Sequence, residues 1–170
     1  GDDEGLILPP AIAPYQVVIV PVAAHKPGVL EKAEELRARL SKFVRVKLDD
    51  SENSPGWKFA QWEMKGVPLR LEIGPKDIEN GQCVLVRRDN REKAFTKLED
   101  LEAAIPALLD ALGKSLYARA EANRAGRTWT ATTMDEVLER AGGENGYIKT
   151  MWCGDLACEE MMKEKAGLSS

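Results

Sequence analysis

The spacing of apolar positions changes several times along this chain, and each change marks an element. Residues 16–22 (Gln-Val-Val-Ile-Val-Pro-Val) form an unbroken, β-branched run. Continuous apolarity over so short a stretch predicts a strand buried on both faces, as in a parallel sheet. After the loop His25-Lys26-Pro27-Gly28, Leu30, Ala33, Leu36 and Leu40 recur at helical spacing and predict a helix over 29–41. Residues 43–48 alternate and predict a short strand, completing a β-α-β unit with parallel strands. Ser54-Pro55 fits an N-cap with proline at the first helical position, and Gly66 ends the helix they open. On that helix Trp57, Ala60, Gln61 and Met64 share one face, and Phe59, Trp62 and Glu63 share another.

The alternation resumes over 67–73, with Val67, Leu69, Leu71 and Ile73 on one side and Arg70 and Glu72 on the other. Gly74-Pro75 closes this strand in a tight turn. A strand over 82–88, a hairpin-like turn at Asp89-Asn90 and a short edge strand over 94–96 follow. A long helical stretch runs over 98–124, with Pro106 expected to kink or restart it. Beyond Gly126 the pattern predicts a smaller unit: a helix over 133–141, a strand over 147–151 and a final segment over 153–165. The expected fold is α/β, a mixed sheet of about five strands flanked by helices, with a small α/β appendage. Residues 1–14 read as an irregular, extended linker with solvated Asp2, Asp3 and Glu4, residues 15–125 as the main domain, and 126–170 as the appendage.

Composition narrows the class. The 44% hydrophobic and 31% charged content suits a folded globular chain. No apolar run approaches the roughly 20 residues that span a bilayer, so no membrane partner is expected. Three cysteines are too few for a disulfide framework, which makes a reducing, cytoplasmic setting the default. The net charge of −4 argues against a non-specific DNA binder. Residues 54–93 nevertheless carry eight Lys/Arg against six Asp/Glu, a mildly basic centre in an acidic chain.

That centre holds the candidate chemistry. Phe59 and Glu63 lie one helical turn apart, so a ring and a carboxylate project together. A ring can stack an unpaired base for roughly 1–3 kcal/mol, and a carboxylate can accept from guanine N–H groups. A core phenylalanine beside a solvated glutamate fits the same spacing. Arg70 has the fork that matches guanine O6/N7 or a phosphate, and is equally placed for an ion pair with Glu72. Lys76 and Asp77 follow the turn and could meet a phosphate or a base amine, or water alone. Cys153-Gly-Asp-Leu-Ala-Cys158 has the spacing of half a tetrahedral zinc site, and equally of two free thiols. Nothing places His25 and Cys83 together as a catalytic pair, and no glycine-rich phosphate loop is present.

These residues resemble the C-terminal part of prolyl-tRNA synthetase, in the class II branch of archaea, eukaryotes and some bacteria. The resemblance covers essentially the whole chain. It is carried by Gly5-Leu6-Ile7-Leu8-Pro9-Pro10 with residues 16–21, by the stretch from Pro55 to Arg70, by Glu72-Ile73-Gly74-Pro75-Lys76-Asp77, and by Trp152-Cys153-Gly154-Asp155 with Cys158-Glu159. It implies that 1–14 link a catalytic core to an anticodon-binding domain over 15–125, and that 126–170 begin a zinc-binding domain. It implies that Phe59 stacks in the anticodon loop of tRNA-Pro, and that Glu63, Arg70, Lys76 and Asp77 contact the two guanines that proline anticodons share. It makes Trp57 a core residue and leaves Trp62 open. The parent enzyme would be a homodimeric ligase using ATP and magnesium to attach proline to its tRNA. None of the class II catalytic motifs is present, so this polypeptide is expected to be inactive alone and to need no cofactor. The second cysteine pair of the zinc domain is also missing, so a complete four-cysteine site is not expected. A stand-alone RNA-binding regulator reusing such a domain, and a flavodoxin-like small-molecule binder, are the alternatives.

Overall fold

Val17–Pro21, the most apolar run, forms β1, and each of its five residues is buried. It lies inside a five-stranded sheet of order β2-β1-β3-β4-β5, completed by Val46–Leu48 (β2), Leu69–Ile73 (β3), Gln82–Arg87 (β4) and Lys93–Lys97 (β5). β1 pairs in parallel with β2 and β3, and β4 and β5 are antiparallel additions beyond β3. The chain is therefore α/β with a mixed sheet; the two antiparallel strands set it apart from an all-parallel flavodoxin-like layout. This computed structural model describes residues 1–167. It divides into two compact units, Gly1–Leu116 and the residues from Tyr117 onward.

In the first unit, alternate residues of β1 feed two separate cores. Val17 and Ile19 join the main cluster with Leu69, Leu71, Ile73 and Leu85, while Val18 and Val20 join a smaller one with Trp62 and Val67. Helix α1 (Val29–Leu40) and the start of α4 (Leu101–Gly126) cover the main cluster. Helix α2 (Pro55–Met64) covers the smaller one from the opposite face.

Several expectations need correction. The buried stripe of α1 is Val29, Ala33, Leu36 and Leu40, and Leu30 is exposed. Gly28, in the left-handed region at φ 81°, starts the helix so that Val29 itself meets the sheet. β2 is shorter than expected because the amides of Phe43 and Val44 bond back to the Leu40 carbonyl at the helix end. Val67 packs beside Trp62 in the smaller cluster, before Pro68 and the start of β3 at Leu69. Gly74-Pro75 opens a five-residue helix, α3 (Pro75–Glu79), where a simple turn was expected. α4 passes through Pro106 without restarting, burying Leu101, Ile105, Leu109 and Leu112.

Residues 1–14 run beside the end of α2. The amides of Leu6 and Leu8 donate to the carbonyls of Met64 and Gly66, at the end of α2. The approach is close enough to require two glycines: a Cβ on Gly5 would lie 2.5 Å from Met64 Cα, and one on Gly66 would lie 2.7 Å from Leu6 Cβ. Asp2, expected in solvent, makes a two-pronged ion pair to Arg88 at 2.8 and 2.6 Å.

The second unit contains a strand that periodicity does not reveal, Thr128–Thr130 (β6), parallel to Tyr147–Lys149 (β7). Helix α5 (Met134–Ala141) starts from a reciprocal cap between Thr133 and Glu136. Helix α6 (Leu156–Ala166) starts from Asp155, whose carboxylate accepts from the Ala157 amide at 2.9 Å.

Candidate functional site

The sheet register sets out the face beneath α2. Residues directly opposite one another in a ladder share a face. Val18, Arg70 and Val86 form one row across β1, β3 and β4, and Val20, Glu72 and Val84 form the next. Arg70 therefore emerges among valines, under α2, and is only 9% exposed. Its guanidinium is held on three sides. Nη1 donates to Glu63 Oε1 at 2.6 Å, Nε donates to Glu72 Oε1 at 2.9 Å, and the guanidinium carbon sits 4.1 Å over the Phe59 ring. Exposed ion pairs contribute about 0–1 kcal/mol, but breaking a largely buried one costs more, so this arginine is fixed before any ligand arrives.

Three of the five expected RNA-contact residues, Phe59, Glu63 and Arg70, thus form one cluster. Glu72, which the sequence offers only as a competing partner for Arg70, is a full member of the cluster. Lys76 and Asp77 lie on α3, past the end of β3. Lys76 is exposed. The Asp77 carboxylate accepts the Gly74 amide at 2.9 Å, which fixes the start of α3. α3 packs against β4 and α1, away from α2.

Two polar clamps hold α2 in place, and neither is evident from the sequence. At its N-terminal end, Lys58 is 2% exposed and donates from Nζ to the Asp49 carbonyl at 2.9 Å, with Asp49 Oδ1 at 3.7 Å. One turn later, Trp62 donates from Nε1 to Asp49 Oδ2 at 2.7 Å. Trp62 is therefore the buried tryptophan, with a partner for its N–H, and Trp57, expected in the core, is 49% exposed. At the C-terminal end, Arg88 donates from Nε to the Glu63 carbonyl at 2.9 Å while its other nitrogens hold Asp2. The available signal was the i, i+4 spacing of Lys58 and Trp62, but lysine is so rarely buried that the pattern argues for solvent.

Burial pushes the Asp49 carboxyl up, but the bonds from Ser51 and Trp62 and the charge of Lys58 outweigh it and hold the group below its ordinary value. The Arg88 bond holds Asp2 low in the same way. A carboxyl that is low in the folded state binds fewer protons there than in the unfolded chain. Its contribution is complete above the ordinary carboxylate range and is lost as pH falls through and below it. The first unit is expected to lose stability on acidification below about pH 4, and Asp49→Asn should flatten that dependence. Urea unfolding followed between about pH 7 and pH 3 checks this; a wild-type midpoint that does not move would contradict it.

Cys153 and Cys158 are both exposed. They lie close enough that a bond to Cys153 pushes the Cys158 thiol up. Among the described residues no group of three or more His, Cys, Asp or Glu could hold a metal ion. The two thiols supply half a tetrahedral set, which does not fit a closed zinc site. Cys83 lies in the main core, where burial pushes its thiol up to about 12, so it is not a nucleophile.

Comparison with known proteins converges on this sheet. A family model described as an anticodon binding domain matches residues 16–108, a stretch that holds the whole Phe59–Glu63–Arg70–Glu72 cluster. Over all 170 residues the chain is 61% identical to a proline–tRNA ligase of Clostridium novyi and 55% identical to one of Clostridium botulinum. Over 169 residues it is 55% identical to proline–tRNA ligase 2 of Bacillus cereus. The chain spans 36% of the length of each of these relatives, about a third. With that match extending over more than half of its length, the chain belongs to the anticodon binding domain family.

Proposed function

We propose that this chain reads the anticodon loop of a proline tRNA, as the recognition part of a longer proline–tRNA ligase. The observation that carries the proposal is the fixed Arg70, stacked on Phe59 and bridged to Glu63 and Glu72 on one sheet face. Guanine offers N–H donors on its Watson–Crick edge and the O6/N7 acceptor pair on the other. A splayed guanine can give its donors to a carboxylate of this cluster and take the guanidinium at O6/N7. Its entry exchanges part of the Arg70–carboxylate contact for contacts to the base. Single-stranded loops are where RNA bases are available for such reading.

The remaining assignments follow from the same reading. Residues 15–125 act as the anticodon-binding domain, 1–14 as its link to a catalytic core, and 126–170 as part of a zinc-binding-type domain, in which Cys153 and Cys158 supply only half of a tetrahedral set. Lys76, exposed at the end of β3, meets a phosphate or base oxygen of the loop. Asp77 contributes by fixing α3, on which Lys76 stands, as well as by any direct base contact. The parent enzyme, a homodimer, would use ATP and magnesium to attach proline in the cytoplasm. No helix among the described residues is long and apolar enough to cross a membrane.

The test is a titration of this chain with a proline anticodon stem-loop and with the same loop carrying replacements at its two shared guanines. Tighter binding of the guanine loop, by about tenfold or more, is expected. Equal binding of the two loops would overturn the proposal.

A further inference from the structure

β5 divides its side chains between the two faces of the sheet. Ala94 faces the main core cluster, and Thr96 lies opposite the buried Cys83. Lys93, Phe95 and Lys97 take the other face, and all three are exposed. The register shows which face that is. Phe95 lies opposite Val84, which lies opposite Glu72, and Lys93 lies opposite Val86, which lies opposite Arg70. The stripe is therefore on the same surface as the Arg70 cluster, two strand spacings away, or about 10 Å. α2 packs over β1, and the stripe on β5 remains open to solvent. Phe95 is 72% exposed, among the most open aromatic rings of the first unit.

Lysines on an edge strand discourage pairing with another chain, and that alone would explain Lys93 and Lys97. It does not explain a bare phenylalanine between them. Lys97 has a loose partner, Glu99, at 3.7 Å, with both side chains more than 70% exposed, so its charge remains available. An open ring with a cation two residues to either side is the combination that grips single-stranded nucleic acid: stacking on the ring and attraction at the backbone.

Resting on the RNA-reading proposal above, the geometry points to Lys93, Phe95 and Lys97 as a second contact strip. Phe95 stacks an unpaired nucleotide flanking the two guanines, and the lysines meet the adjoining phosphates. The strip adds affinity and extends the footprint without distinguishing bases, because every base has a face to stack.

The test uses the full chain and fluorescence anisotropy with a proline anticodon stem-loop. Phe95→Ala is expected to weaken binding about tenfold, and Phe95→Trp to preserve it. Phe95→Thr, which keeps a β-favouring residue on the strand, should repeat the loss. Replacing both lysines by alanine should reduce the slope of log K against log salt by about two. When abasic sites are scanned through the loop, one flanking position should weaken the wild type while leaving Phe95→Ala unaffected. If the wild type prefers the guanine loop but Phe95→Ala and Phe95→Thr bind like wild type, the strip is not a contact and this inference fails alone. If the wild type shows no preference for guanine, the reading beneath it fails as well. If Phe95→Ala instead abolishes self-association of the chain with unchanged RNA affinity, the face belongs to a second copy and the inference is overturned.

Discussion

Asp49→Ala is expected to destabilise the first unit by about 3–5 kcal/mol. Asp49 is the shared partner of two buried groups: its carbonyl and carboxylate receive the Lys58 ammonium, and its carboxylate receives the Trp62 N–H. Removing the carboxylate leaves a lysine that is 2% exposed with its charge uncompensated, and an indole N–H without an acceptor. An unmade hydrogen bond alone costs about 1–3 kcal/mol, so the stranded charge sets the size of the effect. Lys58→Met should cost less, because methionine fills a similar volume and Asp49 keeps its bonds from Ser51 and Trp62. The double variant Asp49→Ala with Lys58→Met should recover part of the loss. Urea unfolding of the three variants measures this; a cost below about 1 kcal/mol for Asp49→Ala would show that the clamp does not hold α2. The clamp matters because Phe59 and Glu63 stand on α2 between it and the Arg88 contact at the helix end.

Arg70→Ala is expected to weaken binding to the guanine loop by about 10- to 100-fold, equivalent to roughly 1–3 kcal/mol, and to relax discrimination at one guanine. The change removes the fork from O6/N7 and also deprives Glu63, Glu72 and Phe59 of the cation that positions them. Arg70→Lys should rescue little. An ammonium has no planar fork to bridge two carboxylates while lying on a ring. The variant should also lose some stability, because Glu63 and Glu72, only 27% and 14% exposed, lose the cation between them, but it should remain folded under the titration conditions. Circular dichroism alongside anisotropy separates the two effects. A variant that unfolds as it loses affinity, or that binds both loops as wild type does, would contradict this role.

The elements that were legible from sequence are those with strong punctuation. Ser54, Pro55 and Gly66 bracket α2 because a cap, a fixed φ and a left-handed residue each act locally. β1 was legible because no other short element is apolar at every position. What stayed hidden depends on partners outside each element. Which tryptophan of α2 is buried follows from where Asp49 sits, just past the end of β2, and not from the helix itself. Lys58 is buried by the same partner. Leu30 and Val29 exchange roles because Val29 lies four residues and Leu30 three residues before Ala33; both spacings fit a helical stripe, and only packing on the sheet decides between them. The Phe59–Glu63–Arg70 grouping was half legible: spacing put each side chain on a face, but only the pairing of β3 with β1 brings the strand face under the helix. The family resemblance pointed to the same residues without showing that Glu72 completes the cluster.

The most direct test of guanine reading by the Arg70 cluster is a thermodynamic cycle. Wild type and Arg70→Ala are each titrated with the proline anticodon stem-loop and with loops replaced at one guanine at a time. Direct reading predicts that one of the two replacements couples to Arg70→Ala by at least about 1 kcal/mol, so that the variant no longer detects that base. Effects that add to within about 0.5 kcal/mol at both guanines would contradict it.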